Sequence, residues 1–199
     1  MRFLIAVVVC LLIAVPAGAD LLELYSFDDV QYGAGASKAR SQMFSPTEST
    51  PDNGLIAGDL FDQVGMKLDV SDGESITFDL KLFAWNTDYG TTVAGTPIAQ
   101  SLGVSISNAF YDYITVDCAP QDAGGVYLIQ CYISAFSGEN WGFARSSSGD
   151  GGTNNEAFND SGMKTDREYQ VQLQTVVVPE PSSMAIFGLG LIGLVRRRK

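Results

Sequence analysis

Between residues 20 and 178, apolar side chains recur at every second position far more often than at every third or fourth, which is the period of a half-buried β-strand. Leu22 and Leu24 alternate with Glu23 and Tyr25 in a first strand. Met66, Leu68 and Val70 alternate with Lys67 and Asp69; beyond Ser71-Asp72-Gly73, Ile76, Phe78, Leu80 and Leu82 alternate with Thr77, Asp79 and Lys81, predicting a hairpin. Leu102, Val104 and Ile106 line a further strand. Segments 110–118 and 126–133 form two more, joined through Pro120 and Gly124-Gly125, and a last strand turns Tyr169, Val171 and Leu173 inward and Gln170, Gln172 and Gln174 outward. Stretches rich in Gly, Ser, Asn and Asp at 31–60, 86–97 and 144–165 read as connections, and no segment carries a sustained helical stripe. The expected fold class is all-β, an antiparallel, jelly-roll-like β-sandwich.

The two ends break this pattern. Met1-Arg2, the apolar run Phe3–Val15 and the small residues Pro16-Ala17-Gly18-Ala19 have the layout of a signal peptide, with an N-terminal signal helix, Ala17 and Ala19 as the small residues that signal peptidase needs, and a single cleavage between Ala19 and Asp20. At the other end Pro179-Glu180-Pro181 precedes a mostly apolar segment, Met184–Val195, and the cluster Arg196-Arg197-Arg198-Lys199. As a helix, residues 182–195 span roughly 21 Å, short of the ~30 Å hydrocarbon core. This C-terminal apolar helix suits transient insertion in the inner membrane better than permanent anchorage. The basic flank belongs on the cytoplasmic side, leaving Pro-Glu-Pro at the outer interface.

Those C-terminal elements resemble the PEP-CTERM sorting signal of exported proteins in Gram-negative bacteria. The resemblance implies recognition by exosortase, and an association with exopolysaccharide, biofilm or floc formation. It also supplies the context for Gly188-Leu189-Gly190-Leu191-Ile192-Gly193, which fits a dinucleotide fingerprint but lacks the strand–turn–helix setting that motif needs. Small residues spaced along a membrane helix favour close helix packing instead. The chain therefore divides into a signal peptide (1–19), a β-sandwich domain (20–178) and a sorting signal (179–199). Within the middle, Leu24-Tyr25-Ser26-Phe27-Asp28-Asp29 and Gly65-Met66-Lys67-Leu68-Asp69-Val70 are similar to the opening of laminin-G-like or concanavalin-A-like jelly rolls.

Charge sharpens the picture once the ends are set apart. The whole chain is −11, but residues 20–178 hold 7 cations against 22 acids, a net −15. Such a surface disfavours nucleic acid and anionic membrane faces, both of which need Lys and Arg. The sequence contains no His, which removes the commonest general base and metal ligand. A glycosidase pair would have to come from carboxylates such as Glu74, Glu139 and Glu156, facing each other ~5 to ~9.5 Å apart, and nothing in their spacing shows this. A catalytic role is not expected.

Three binding features remain. Export favours a disulfide between Cys118 and Cys131, whose strand parity turns both sulfurs toward one core, with a stabilisation of roughly 3 kcal/mol. The loop 146–156 and Asp160 offer oxygen ligands for calcium through Asp150, Asn154, Glu156 and Asp160. Trp85, Tyr89 and Trp141 sit among polar neighbours as candidate glycan contacts, with Tyr113 outward by parity. The expected role is structural or adhesive, at the cell surface or in the extracellular matrix after processing by signal peptidase and exosortase. The alternatives are a carbohydrate-binding module with calcium-stabilised loops, taking an extracellular polysaccharide as partner, and then a glycan hydrolase.

Overall fold

The computed structural model describes residues 19–24, 30–32, 38–48, 54–109, 112–138, 141–145, 156–160, 162–164 and 168–176. Leu21–Val176 gathers into one compact unit. The two apolar terminal segments expected as helices, Ala17, Pro179, Glu180, Pro181 and the basic cluster Arg196–Lys199 lie outside the described residues. Ala19 and Asp20, at the expected cleavage point, are exposed coil.

Strands run in the order β1 (Leu21–Glu23), β2 (Val30–Tyr32), β3 (Ala39–Phe44), β4 (Leu60–Val70), β5 (Ser75–Ala84), β6 (Ala99–Ser107), β7 (Asp112–Asp122), β8 (Tyr127–Ser137), β9 (Trp141–Ala144), β10 (Ala157–Asn159), β11 (Gly162–Lys164) and β12 (Val171–Val176). A short helix, α1 (Tyr89–Ala94), lies between β5 and β6. They form two six-stranded sheets: β1-β12-β4-β9-β2 with β7 also on β4, and β11-β10-β3-β8-β5-β6. Every ladder is antiparallel. The protein is an all-β sandwich.

Alternation along the strands makes the core. The first sheet contributes Val64, Met66, Leu68, Val70, Ile114, Val116, Trp141, Phe143, Val171 and Leu173, and the second Phe44, Ile76, Phe78, Leu80, Leu82, Ile129, Cys131 and Ile133. Removing each larger side chain from water contributes about 1.5–3 kcal/mol against the entropy of ordering the chain. Phe44, Phe61 and Tyr127 close one region of it, with Phe61 edge-on to Tyr127 at 5.1 Å.

The predicted hairpin 66–82 does not form. β4 and β5 belong to different sheets, so Ser71-Asp72-Gly73 carries the chain across the sandwich and their apolar faces meet through the core. Segments 110–118 and 126–133 part in the same way, as β7 and β8. All three regions read as connections contain structure, with α1 inside 86–97. Ala39–Phe44 is a strand whose two faces are both covered, with five of six residues buried and one intermediate, so it shows no alternation. Ala157–Asn159 and Gly162–Lys164 pair as the antiparallel strands β10 and β11.

The expected Cys118–Cys131 bridge is also absent: both are free thiols. They stand on opposite sheets, and the β4–β7 ladder slips between Phe61 and Gln63. Cys118, Ala119 and Pro120 thus share one place opposite Asp62. Parity fails across that slip, and Cys118 is only half-buried, unlike Val116 or Cys131. Burial, aided by Asp62 and Asp117, raises the Cys118 thiol to about 11. Burial pushes Cys131 upward as well, so the thiolate that would attack is scarce on both.

Candidate functional site

The outer face of the second sheet collects the side chains best placed to meet a ligand. Strand register lines them up: Phe158 on β10 is opposite Ser41 on β3, Ser41 is opposite Gln130 on β8, and Gln130 is opposite Lys81 on β5, which faces Gln100 on β6. The row therefore crosses five strands, roughly 19 Å at the usual strand spacing. A second outer row places Ala39 opposite Tyr132 and Tyr132 opposite Asp79. Tyr132 is 39% exposed, whereas Ala39 and Ser41 on the neighbouring strand are buried.

Helix α1 bounds this face. Asp88 caps it from an extended backbone, its carboxylate accepting from the Thr91 N–H at 2.9 Å and the Thr91 hydroxyl at 2.8 Å. Those bonds hold the Asp88 carboxyl below the usual carboxylate range. Thr92 is buried, and its hydroxyl donates to the Asp88 carbonyl at 2.7 Å. The helix delivers Tyr89, whose ring stacks on Phe158 at 4.7 Å and 7°. Trp85 approaches the same Phe158 at 5.7 Å. Beneath them lie Met43, Phe83 and Leu128. The Tyr89 hydroxyl accepts from Gln130 Nε2 at 3.0 Å and is 3.3 Å from Ser41 Oγ.

Trp85 and Tyr89 are thus brought together, around a Phe158 that sequence reasoning missed. Both rings are largely occupied in pinning α1 to the sheet. Trp141 is not with them: it is 1% exposed and packs in the core against Phe136 and Phe143, so it is no surface contact. Its strand faces it toward the opposite sheet, where a large indole fills volume rather than meeting ligand. The outward Lys81, Asp79, Gln130 and Tyr132 were legible because each alternates with the inward apolar residues of its strand. Ser41 had no such signal, because β3 does not alternate.

The outer face of the first sheet is also polar, but its groups are committed to one another. Tyr113 donates to Glu23 at 2.9 Å and accepts from Gln170 at 2.7 Å, with the Lys67 ammonium 5.7 Å from its ring centre. Burial and then the Glu23 carboxylate drive the Tyr113 hydroxyl upward in pKa.

Other candidates separate in space. Met43 N–H donates to the Glu156 carbonyl, which sets Glu156 level with Leu128 and Phe83, whereas Glu74 lies just before Ser75 at the far end of β5. That separation is roughly 30 Å along the strands, far beyond a glycosidase pair; Glu139 lies outside the described residues. Of the calcium set, Asp150 and Asn154 lie outside the described residues. Asp160 instead fastens the start of β3, accepting from the N–H groups of Lys38 and of Ala39, the latter at 3.1 Å. Among the described residues no three His, Cys, Asp or Glu side chains come together to hold a metal.

In comparisons with known proteins, residues 177–199 match the PEP-CTERM protein-sorting motif. No curated protein matches the chain. The motif marks an exported protein that exosortase processes, passing through a transient membrane-anchored precursor to a surface or extracellular location.

Proposed function

We propose that this exported, exosortase-sorted chain delivers a non-catalytic β-sandwich to the cell surface or extracellular matrix, where it has a structural or adhesive role alongside exopolysaccharide in biofilm. The carrying observation is the sorting motif at 177–199 beside the compact unit Leu21–Val176. Its test is processing in the producing cell. Changing Pro179-Glu180-Pro181 to Ala leaves an unprocessed, membrane-retained form, and normal release of that variant would overturn the reading.

One observation favours a carbohydrate-binding module as the second reading. Lys81, Gln130, Tyr132 and Asp79 present amide, charged and aromatic groups along one sheet face, the chemistry that holds a hydroxylated polymer. Polysaccharide pull-down that is lost in Tyr132→Ala and Gln130→Ala, with folding intact, supports it. Retention of the signal in both variants, or no retention by the wild type, returns the protein to the structural role.

A further inference from the structure

Edge strands of a sheet carry unpaired N–H and C=O groups, and exported proteins usually blunt them with charge, proline or brevity. β7 follows that rule, with Asp112, Asp117, Asp122 and Pro120. β6 does not. It is nine residues long, Ala99-Gln100-Ser101-Leu102-Gly103-Val104-Ser105-Ile106-Ser107, with no charge, in a chain of net charge −11. It pairs with β5 on one side, and among the described residues no strand pairs with the other.

The core also runs out along this strand. Ala99, Val104 and Ile106 pack against it yet stay only partly buried, and Leu102 is 56% exposed. A slip in the β5–β6 ladder puts Leu102 and Gly103 together opposite Asp79, which leaves Gly103–Ser107 as a regular segment whose second edge is unpaired among the described residues and whose apolar side is only partly buried.

We propose that this segment pairs with the same segment of a second copy, joining two sandwiches through β6. Charge selects that occupant: two acidic copies repel over most of their surfaces, and an uncharged strand is where they approach without facing like charges. The alternation of faces selects the register. Opposite residues in an antiparallel pair share a face, so a two-fold axis at Ser105 sets Val104 of each copy against Ile106 of the other, completing the burial of both. Ser105 then meets its own copy on the outer face, where its hydroxyl is 2.8 Å from Thr77 Oγ1. A closed, self-complementary contact of this kind stops at two copies.

The test is sedimentation equilibrium of the full chain in a mild non-ionic detergent. The wild type is expected as a dimer. Ser105→Glu and Ser105→Lys each place like charges face to face and weaken association at least ~10-fold, with unchanged circular dichroism because Ser105 is exposed. An equimolar mixture of the two variants is expected to restore the dimer. A monomeric wild type, variants that associate as the wild type does, or a mixture that stays monomeric would each overturn the proposal.

Discussion

The Asp79 carboxylate accepts the backbone N–H of Gly103 at 2.8 Å, fastening the extra residue of β6 against β5. Gly103 has φ of +61°, a left-handed conformation that glycine adopts without steric cost. Gly103→Ala is expected to cost about 1 kcal/mol, and Asp79→Ala about 1 kcal/mol for the lost bond. Urea unfolding midpoints check both. Because the two residues fasten one feature, the double variant should lose less than the sum.

Trp141 belongs to the core. Trp141→Ala is expected to destabilise by about 3–5 kcal/mol, seen as a large fall in the urea midpoint. Trp85→Ala, at the half-buried rim above Phe158, should cost clearly less. Equal losses would contradict the placement of the two indoles.

Gly65 is required by close approach rather than by φ. A Cβ there would stand 2.8 Å from both the Ile114 carbonyl oxygen and Thr115 Cγ2 on the neighbouring β7. The backbone oxygen cannot yield without disturbing the ladder, so Gly65→Ala is expected to cost about 1–3 kcal/mol, measured by thermal or urea unfolding.

The thiols respond to alkali. Cys118 is raised from 9.0 to about 11 in the fold, so between those values the native state holds a proton the unfolded chain releases. Stability contributed by this group is complete below pH 9 and falls as pH rises toward 11. Alkylation of the native protein should be slow at pH 8 and accelerate through about pH 11, while unfolding at pH 8 should open both Cys118 and Cys131 to reagent.

Asp88 acts in the opposite sense. Its carboxyl is depressed below 3.8 by its bonds to Thr91, so its contribution is present above that value and is lost as pH falls through the native pKa. Trp85 fluorescence should report loosening of α1 at acid pH. Asp88→Ala should show the loosened signal already at neutral pH and remove that part of the acid response.

Much of the fold was legible because period-two alternation reports which side of a strand meets the core. Met66, Leu68, Val70, Ile76, Phe78 and Leu80 point inward in the sandwich, as their spacing requires. Their pairing was not legible. Alternation says nothing about which strand supplies the neighbouring hydrogen bonds, so β4 and β5 looked like a hairpin while serving opposite sheets. β3 was invisible for the converse reason: with both faces covered it has no polar side. Of the candidate glycan residues, Trp85 and Tyr89 met at Phe158 because α1 folds back on the sheet, while Trp141 went to the interior.

By itself, then, the sequence determined that this is an acidic, all-β chain carrying a sorting motif at its carboxyl end. Those properties reside in composition, in local order and in the two-residue period of the strand. The tertiary structure decided which sheet each strand joined, kept Cys118 and Cys131 apart, buried Trp141, and set Ser41, Gln130 and Lys81 in one row. These depend on register between distant segments, which backbone hydrogen bonds and core packing establish only when the whole sandwich closes.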